Sequence, residues 1–444
     1  MLTKTKTTAK SGKAAALWAE RNELVSSGSA AYTSVVIEKA LNASIWDVDG
    51  KEYIDFAGGI GALNVGHCHP RVVAALREQA GKLLHTSFHV AAYENYIQVC
   101  RELVKAAPGA EKKKAILFNS GSEAIENSVK FARAYTKRKG VISFDNAFHG
   151  RTLLCLTLDG KYKPLRQGFG PAPAEIYHAR YPYAYRPPRG VKPEELTEYC
   201  LEQLEQLFLT DIAAEDVAAI IAEPVQGEGG FIAPTAGFLA GLRRICDKHG
   251  IVLIIDEVQS GFGRTGKMFA IEHDCIAPDL MVVGKSLGAG MPISGVVGKA
   301  EIMDSAAVGA IGGTYGGNPM SCAAALAVFE IFKEERLVET ASRIGETVKQ
   351  RFDSWHERLA CVGDSRGLGA MRAVELVEDK KSKKPLPADK VKGLLRDCVA
   401  RGLILIKAGV CDNVLRALMP LTIADKDLNR GLDILEKALK ELSR

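Results

Sequence analysis

Apolar runs alternate with helical patterns through the middle of this chain. Runs without polar alternation, which are typical of strands buried on both faces, lie at 115–119, 141–144, 218–222, 251–256, 280–283 and 294–298. The segments between them show helical spacing; Ala124, Ile125, Val129 and Ala132 fall on one side of one such segment. This alternation predicts an α/β fold with a largely parallel sheet covered by helices.

After about residue 320 the pattern changes to that of a smaller α+β unit. A helix is predicted over 388–401, apolar strands follow, and a last helix starts near 426 with Asp425 as its N-cap. Near the other end of the chain, Asp49-Gly50 predicts a hairpin turn within 42–59. An uncharged stretch over 305–329 contains five glycines, which exclude a membrane span and predict a buried loop and the start of a helix.

Composition narrows the function classes. The chain has 444 residues, 47% hydrophobic and 25% charged, and its net charge of +5 is spread along it, which does not favour nucleic-acid binding. The ten cysteines contain no CxxC element, as expected for reduced thiols of a cytoplasmic protein. Residues 1–21 are rich in lysine and lack the apolar core of a secretory signal, so we expect a flexible start there.

Lys285 raises the main chemical question. An apolar strand over 280–283 leads into this lysine and then into a glycine-rich turn. A lone lysine at a strand end usually extends its amine to solvent. The alternative is a desolvated amine that forms a Schiff base, and that reading requires partners at neighbouring strand ends.

Asp256 is the first candidate partner, because it ends the apolar run at 251–256. It is either a turn cap or a carboxylate that pairs with a pyridinium nitrogen. Val258 and Gln259 follow it, and they suit contacts with the face and the phenolic oxygen of such a ring.

A second group of residues suits anion binding. Ser120 and Glu123 match a capping box, and Gly121 and Ser122 lie where a helix N-terminus can hold a phosphate. Further polar or aromatic residues that follow strands or lie in glycine-rich turns are Phe148, His149, Arg151, Glu223, Glu228 and Thr314. Arg416 lies inside an apolar strand and therefore predicts a buried anionic partner.

Two motifs favour other functions. The sequence at 261–266 fits G-x-G-x-x-G, but the residues at 256–260 intervene after the strand and no long helix follows, which argues against a nicotinamide or flavin site. Four of the nine histidines, at 67, 69, 85 and 89, lie within 23 residues, yet no HExxH motif supports a metal hydrolase.

Seven separated motifs together resemble the class III aminotransferases, which use pyridoxal 5'-phosphate. In chain order they are GHCHP, NSGSEAIENSVKFAR, FHGRT, EPVQGEGG, IDEVQSGFGRTG, PDLMVVGKSLGAGMPISGVVG and GGTYGGNP. The likeness extends from about Trp46 to Ile434 and implies the fold type I (aspartate aminotransferase-like) architecture. It implies a large cofactor-binding domain over 61–325 and a small domain over 326–444. The N-terminal segment over 1–60 is expected to join the small domain. The roughly 45 residues ahead of it show no DNA-binding pattern, which disfavours a regulator built on this fold.

The resemblance also implies a role for each matching residue. Lys285 and Asp256 match the Schiff-base lysine and the pyridinium partner. The other cofactor contacts that it implies are Gly121, Ser122, Phe148, His149, Glu223, Val258, Gln259 and Thr314. Thr314 matches a phosphate contact that a partner subunit supplies, so a homodimer, or a dimer of dimers, is expected. The substrate residues that it implies are Ile60 and Arg151, which match the pocket for the distal carboxylate, and Glu228 and Arg416. These last two match a switch pair, in which the acid covers the arginine for an ω-amine and releases it for an α-amino acid.

Within this class the chain is most similar to members that act on 4-aminobutyrate, through FAGGIGALNVGH, EPVQGEGGF and NVLRALMPLTI. The implied reaction transfers the amino group of this ω-amino acid to 2-oxoglutarate and gives succinate semialdehyde and glutamate. The alternatives are 5-aminovalerate or another ω-amino acid, including an ornithine-type donor. The sequence departs from the family in three places. The segment ELVSSGSAAYTSVV lacks a Pro-Arg-Gly-Val run found in relatives, Phe148 stands where some members have Tyr, and His89 stands where relatives have Gln. The range of substrates is therefore left open.

Overall fold

The computed structural model describes residues 12–443, so residues 1–11 of the lysine-rich start lie outside the described residues. Residues 13–21 of that start form part of a helix rather than the expected flexible segment. The strands are β1 (Ile37–Leu41), β2 (Ser44–Asp47), β3 (Glu52–Asp55), β4 (Lys113–Phe118), β5 (Gly140–Phe144), β6 (Ile176–Ala179), β7 (Val217–Ala222), β8 (Val252–Asp256), β9 (Leu280–Val283), β10 (Ser294–Lys299), β11 (Val362–Leu368), β12 (Met371–Asp379), β13 (Lys384–Pro385), β14 (Leu403–Ile404), β15 (Ile406–Ala408) and β16 (Val414–Ala417). The α-helices are α1 (Lys13–Leu24), α2 (Gly58–Gly61), α3 (Pro70–Ala80), α4 (Glu94–Ala106), α5 (Gly121–Thr136), α6 (Leu153–Leu158), α7 (Leu196–Thr210), α8 (Phe238–His249), α9 (Ala300–Met303), α10 (Pro319–Glu334), α11 (Leu337–Arg358), α12 (Ala388–Ala400) and α13 (Asp425–Leu442).

A seven-stranded sheet with the order β4-β10-β9-β8-β7-β5-β6 forms the centre of the molecule. The pairs β5–β6, β5–β7, β7–β8 and β8–β9 are parallel, while β10 is antiparallel to both β9 and β4. The predicted parallel sheet is therefore confirmed, with one reversed strand. A short connection joins β9 to β10, and a short connection cannot provide the long crossover that a parallel pair needs.

The strand directions bring several carboxyl ends to one edge of this sheet. Strands β5, β7, β8 and β9 run the same way, and β4 shares their direction because β10 is antiparallel to each of its neighbours. In open α/β sheets, ligands bind outside the carboxyl ends of the strands. The residues that follow these five strands therefore surround one possible site.

Helix α5 shows how the helices cover the sheet. Its apolar stripe of Ala124, Ile125, Val129 and Ala132 is fully buried, as the helical spacing predicts. It packs with Val282 of β9 and Val296 of β10 in one apolar cluster. Full burial of a side chain such as Ile125 or Val129 stabilises the fold by about 1.5–3 kcal/mol. This stripe therefore holds the start of α5 firmly at the edge of the sheet.

The N-terminal strands belong to a sheet that a C-terminal strand completes. The order of this four-stranded sheet is β1-β2-β3-β14, in which Ile54 pairs with Leu403. Strands β2 and β3 form the predicted hairpin, whose turn includes Gly50 at a φ of 87°. A separate five-stranded sheet contains β11, β12, β13, β15 and β16. The domain boundaries after residues 60 and 325 stay predictions.

Two other sequence-based expectations were wrong. Ala424, not Asp425, is the N-cap of α13; Asp425 lies in the first turn, where a carboxylate favours the positive end of the helix dipole. The loop before α10 is mostly exposed rather than buried, and Val308 and Tyr315 have relative exposures of 106% and 61%. An uncharged sequence indicates burial only if a surface of this chain is available to cover it.

The motifs that favoured other functions have structural explanations. Residues 261–266 form turns rather than opening a helix, and the buried Arg264 donates a hydrogen bond to the carbonyl of Met419. His67 pairs with Asp55, and His69 pairs with Glu335. Within residues 12–443 no group of three or more His, Cys, Asp or Glu side chains is arranged to hold a metal ion. All ten cysteines are free. In the same part of the chain, no helix has the length and apolar character needed to cross a membrane.

Candidate active site

Lys285 lies directly beyond the carboxyl end of β9, at the start of a short 3-10 helix. Its backbone is left-handed, with a φ of 45°. Residues other than glycine adopt this conformation at a cost of roughly 1–3 kcal/mol. Burial lowers the pKa of the Lys285 amine, although Asp256 and Glu223 oppose that shift. The chain therefore holds a poorly solvated amine at the sheet edge, unlike a lysine that extends to water.

Asp256 and His149 form a buried pair beside this lysine. Asp256 Oδ2 lies 2.8 Å from His149 Nδ1, and Asp256 Oδ1 accepts a hydrogen bond of 3.0 Å from the amide of Val258. Burial alone would lower the pKa of His149, but the hydrogen bond to Asp256 and the charges of Asp256, Glu223 and Asp159 together outweigh burial, and the pKa is raised. The pair thus maintains an oriented carboxylate at the carboxyl end of β8.

Glu223 follows β7 and holds two loops at the same edge. Its Oε1 accepts a hydrogen bond of 2.9 Å from the amide of Phe148, and its Oε2 accepts one of 2.8 Å from the amide of Gly227. Burial raises the pKa of this carboxyl group to about 7. Glu223 therefore anchors the segments that contain Phe148 and Glu228.

The N-terminus of α5 lies close to the loop after β5. Ser120 and Glu123 form the predicted capping box, so both residues have local bonding roles. Ser122 Oγ accepts a hydrogen bond of 3.2 Å from the amide of Arg151. A Cβ atom added to Gly121 would lie 3.1 Å from Val258 Cγ1, so the backbone of Gly121 closely approaches Val258 in the segment after β8. This arrangement presents amides and a hydroxyl suited to an anion.

A strained segment around Ile60 closes one side of the site. Gly59 and Ile60 have φ values of 61° and 63°, which is rare for a β-branched residue. Gln259 Nε2 donates a hydrogen bond of 3.3 Å to the carbonyl of Ile60, and Ser286 Oγ donates one of 2.9 Å to that of Gly61. The buried Gln259 Oε1 has no partner within residues 12–443 and is therefore free to accept a hydrogen bond from a ligand.

Glu228 and Arg416 form an ion pair between two distant parts of the chain. Arg416 Nη2 lies 3.0 Å from Glu228 Oε2, and Arg416 Nη1 donates a hydrogen bond of 3.1 Å to the carbonyl of Gly227. The arginine side chain is 1% exposed, while that of the glutamate is 26% exposed. The structure therefore contains the anionic partner that Arg416 of β16 requires, and this partner is accessible from one side.

The remaining predicted residues are less enclosed. Phe148 is half-buried, and Arg151 is exposed although its amide is bonded to Ser122. Thr314 is exposed on the loop before α10, and it has no hydrogen bond to the other site residues within the described part of the chain. One chain thus brings together the residues around Lys285, whereas Thr314 is exposed and not bonded to them within the described residues.

The chain matches the model of the family described as "Aminotransferase class-III" over residues 25–439. This match includes every residue of the site described above. The protein belongs to the class-III aminotransferases. The resemblance found from the seven motifs is confirmed.

Curated relatives agree with this assignment. The aminotransferase is 46% identical to "Probable 4-aminobutyrate aminotransferase" of Bacillus subtilis over 95% of this chain and 96% of that protein. It is 49% identical to the 5-aminovalerate aminotransferase of Pseudomonas aeruginosa over 92% of this chain and 94% of that protein. Among solved structures, a PLP-bound amine transaminase from an uncultivated Pseudomonas species is 30% identical, with a TM-score of 0.87 over 94% of this chain and 98% of that chain. The predicted fold is confirmed.

Pyridoxal 5'-phosphate is the cofactor of this aminotransferase, and the site chemistry fits it. The amine of Lys285 has a lowered pKa, as covalent attachment to an aldehyde requires. Asp256 supplies a buried carboxylate suited to a ring nitrogen, and the unpaired Gln259 Oε1 is an acceptor suited to a phenolic group. The start of α5 is suited to the phosphate.

Tyr32 is a residue at this site that sequence reasoning missed. Burial raises the pKa of its hydroxyl, and the charges of Glu228, Arg416 and Arg151 also act on it. Tyr32, which is 47% exposed, therefore lies near the Glu228–Arg416 pair. No motif could have identified Tyr32, because a single tyrosine among serines and alanines has the appearance of an ordinary loop.

Replacing Gly150 with alanine tests the contact between the two anion-binding loops. Gly150 has a φ of 139°, and an added Cβ would lie 2.1 Å from Ser122 Oγ. We expect Gly150→Ala to lower the free energy of unfolding by about 2–5 kcal/mol and to weaken cofactor retention, because backbone strain adds to overpacking. Urea unfolding followed by circular dichroism, together with cofactor absorbance after dialysis, measures both effects.

The matched control is Gly190→Ala. Gly190 also has a positive φ, 87°, but an added Cβ meets nothing within 4 Å. Its expected cost is therefore only the backbone strain of about 1–2 kcal/mol, with cofactor retention unchanged. Equal effects of the two substitutions would show that contact with Ser122 contributes nothing.

Proposed function

We propose that this protein transfers the amino group of 4-aminobutyrate to 2-oxoglutarate, giving succinate semialdehyde and glutamate. The observation that carries this proposal is the Glu228–Arg416 ion pair beside Lys285. An ω-amino acid donor has one carboxylate, whereas glutamate and 2-oxoglutarate each have two. If Glu228 pairs with Arg416 while the ω-amino acid is bound and leaves it free for 2-oxoglutarate, a single site can serve both half-reactions.

Two arginines divide the binding of carboxylates in this proposal. Arg151 binds the carboxylate remote from the reacting carbon in both half-reactions. Arg416 binds the α-carboxylate of the acceptor after Glu228 moves aside, and the 26% exposure of Glu228 leaves room for this motion. Ile60 and Tyr32 limit the space around the chain of the substrate.

The residues around Lys285 provide the proton chemistry. Bound pyridoxal phosphate supplies an aldehyde for attachment and a ring that withdraws electrons from the reacting carbon. Lys285 Nζ moves a proton from the amine-bearing carbon of the donor, and its lowered pKa favours the neutral amine required of a base. Asp256, oriented by His149, keeps the ring nitrogen protonated.

The other site residues hold the cofactor in this proposal. Gly121 and Ser122 bind the phosphate through the start of α5, and Gln259 contacts the phenolic oxygen. Val258 and Phe148 lie against the two ring faces, and Glu223 keeps the Phe148 backbone in place. These assignments are supported by the position of each residue at a strand end or in the adjoining loop.

We also propose a homodimer, or a dimer of dimers, in which Thr314 completes the phosphate site of the partner subunit. Two loops of this chain expose large apolar side chains: Leu84 and Val90 on one loop, Val308 and Tyr315 on the other. The loops touch, since the rings of His85 and Tyr315 have centroids 4.9 Å apart. An exposed apolar patch of this kind favours association, and sedimentation velocity measures its stoichiometry.

The proposed compartment is the cytoplasm. Ten free cysteines suit a reducing environment, and cell fractionation tests this location. Nucleic acid is not a proposed partner, because the net charge of +5 is small for a chain of 444 residues.

A comparison of donors tests the proposed substrate. With 2-oxoglutarate as acceptor, we expect kcat/KM to be highest for 4-aminobutyrate. One extra methylene in 5-aminovalerate should lower kcat/KM by about 10–200-fold, and putrescine should react least because it has no carboxylate for Arg151. Glutamate formation in a coupled assay measures each rate.

Two controls define the interpretation of this comparison. Double-reciprocal plots should be parallel, since the enzyme alternates between two half-reactions. Weak turnover of both 4-aminobutyrate and 5-aminovalerate would contradict the assignment. A preference for 5-aminovalerate would instead support the second candidate, which the 49% identical Pseudomonas aeruginosa relative favours.

A further inference from the structure

Three charged side chains form a cluster next to the Glu228–Arg416 pair. Lys161 Nζ lies 2.8 Å from Asp412 Oδ1, and Lys407 Nζ lies 2.5 Å from Asp412 Oδ2. The side chains of the two lysines are only 13% and 16% exposed. One carboxylate thus pairs with two ammonium groups that have little access to water. We refer to Lys161, Lys407 and Asp412 as the loop clamp.

The loop clamp is connected to the Glu228–Arg416 pair through backbone hydrogen bonds. The amide of Gly409 donates a hydrogen bond of 2.8 Å to the carbonyl of Glu228. Arg416 Nη2 donates one of 3.4 Å to the carbonyl of Lys407. Lys161 Nζ donates one of 3.1 Å to the carbonyl of Gly409. Movement of the end of β15 and of the turn over 409–413 therefore displaces atoms that bond to both members of the pair.

The loop has few other attachments at its tip. Val410 is 53% exposed and Cys411 is exposed, so apolar burial contributes little there. Asp412 has a φ of 57°, a left-handed conformation that persists only where surrounding contacts maintain it. The two lysines are the side chains that bond to its carboxylate. The clamp therefore maintains the conformation of the loop between Gly409 and the buried Asn413.

Asp412 is ionised at neutral pH. Burial alone would raise the pKa of its carboxyl group, but hydrogen bonds from Lys161 and Lys407 outweigh burial and lower that pKa below its ordinary value. If the carboxylate loses its charge, two poorly hydrated ammonium groups remain close to each other without a partner. Leaving buried charges uncompensated is strongly unfavourable, so the loop would have to rearrange.

We propose that Lys161, Lys407 and Asp412 are positioning residues that hold the end of β15 and the turn over 409–413 against the Glu228–Arg416 pair and thereby set the affinity for the α-carboxylate of the acceptor. This inference rests on the proposed function, in which Arg416 binds that carboxylate. The donor has no α-carboxylate, so its binding through Arg151 does not depend on the clamp.

The first test is Asp412→Asn, which preserves the size of the side chain and removes its charge. We expect KM for 2-oxoglutarate to rise about tenfold, because a small displacement of a binding group is costly, while KM for 4-aminobutyrate changes less than about twofold. Asp412→Glu retains the charge and should restore most of the affinity for 2-oxoglutarate. Steady-state kinetics with each substrate varied in turn measure this difference.

A double variant separates position from net charge. Asp412→Asn adds one positive charge to the site, whereas Lys407→Met combined with Asp412→Asn keeps the net charge of the cluster unchanged and still breaks the clamp. We expect the double variant to show the raised KM for 2-oxoglutarate. A return to the wild-type KM would overturn the proposal, since the effect of the clamp would then be one of net charge alone.

Hydrogen–deuterium exchange gives a result that does not depend on turnover. In Asp412→Asn, amides over 407–414 should exchange faster, while those of α8 stay unchanged. Glu205→Gln is the matched control, because it breaks the Lys248–Glu205 pair of 3.1 Å between α7 and α8. Neither the exchange over 407–414 nor KM for 2-oxoglutarate should change in this control.

The outcomes distinguish this inference from the proposed function. If the wild-type enzyme transfers the amino group of 4-aminobutyrate but Asp412→Asn leaves KM for 2-oxoglutarate and the exchange unchanged, the clamp is refuted. An equal rise of both KM values with a lower Tm would also refute it, since that pattern indicates general destabilisation. Inactivity of the wild-type enzyme with these substrates would refute the proposed function, while the exchange experiment would still decide whether the clamp holds the loop.

Discussion

Lys285→Ala is expected to lower kcat by about a thousandfold or more while the protein remains folded and retains its cofactor. The alanine side chain has no amine to attach the cofactor or to move the proton at the reacting carbon. The fold should persist because Lys285 lies at the end of β9, beyond the buried strand residues over 280–283. Alanine also removes a buried amine whose pKa is lowered because burial outweighs the charges of Asp256 and Glu223, so its removal should cost little stability.

Single-turnover kinetics with 4-aminobutyrate, together with absorbance of the bound cofactor, measure this effect. Lys248→Ala is the control, because Lys248 lies on the surface of α8 and pairs with Glu205 at 3.1 Å. It should retain wild-type activity. If Lys285→Ala kept near-normal turnover, the assigned role of this lysine would be wrong. Loss of folding would be detected by circular dichroism and would not count as support.

Asp256→Asn is expected to have the second-largest effect, a fall in kcat of about 10²–10³-fold. Asparagine has nearly the same shape but no charge, so it cannot keep the ring nitrogen of the cofactor protonated. It also removes the carboxylate that raises the pKa of His149, and that histidine should then be neutral at pH 7. The fall should therefore appear in kcat more than in KM for either substrate.

Glu257→Gln provides a matched control for this substitution. Glu257 is the next residue and is fully buried, but its carboxyl group accepts hydrogen bonds from Ser260 Oγ and the amide of Ile271 rather than facing His149. Burial raises the pKa of this carboxyl group to about 7, and a glutamine at this position retains an oxygen and an amide for the same two partners. The control should keep kcat within about threefold. Equal losses in both variants would show that the effect reflects general disturbance of the strand end.

Much of the fold could be predicted because its signals are local. Uninterrupted apolar runs correspond to β4, β5 and β7–β10, and the spacing of Ala124, Ile125, Val129 and Ala132 identifies the buried side of α5. Strand and helix periods follow from backbone geometry, so a short window of sequence contains them. The strand-end residues Lys285 and Asp256 stood out for the same reason, since a charge at the end of an apolar run requires an explanation.

Other features depended on which segments meet in space. The loop over 305–318 is uncharged yet exposed, and Tyr32 reaches the site from a segment with no motif. Asp425 occupies the first turn of α13 instead of its cap, a difference of one residue that the local pattern does not determine.

By itself, the sequence determined the order of strands and helices, the family and the types of residue at the strand ends, because each of these is encoded in contiguous stretches of chain. Only the tertiary structure decided that Asp256 orients His149 and that Lys161 and Lys407 share Asp412. These pairs join residues from separate elements. Their energies depend on distance and exclusion of water, and neither quantity exists until the chain has folded.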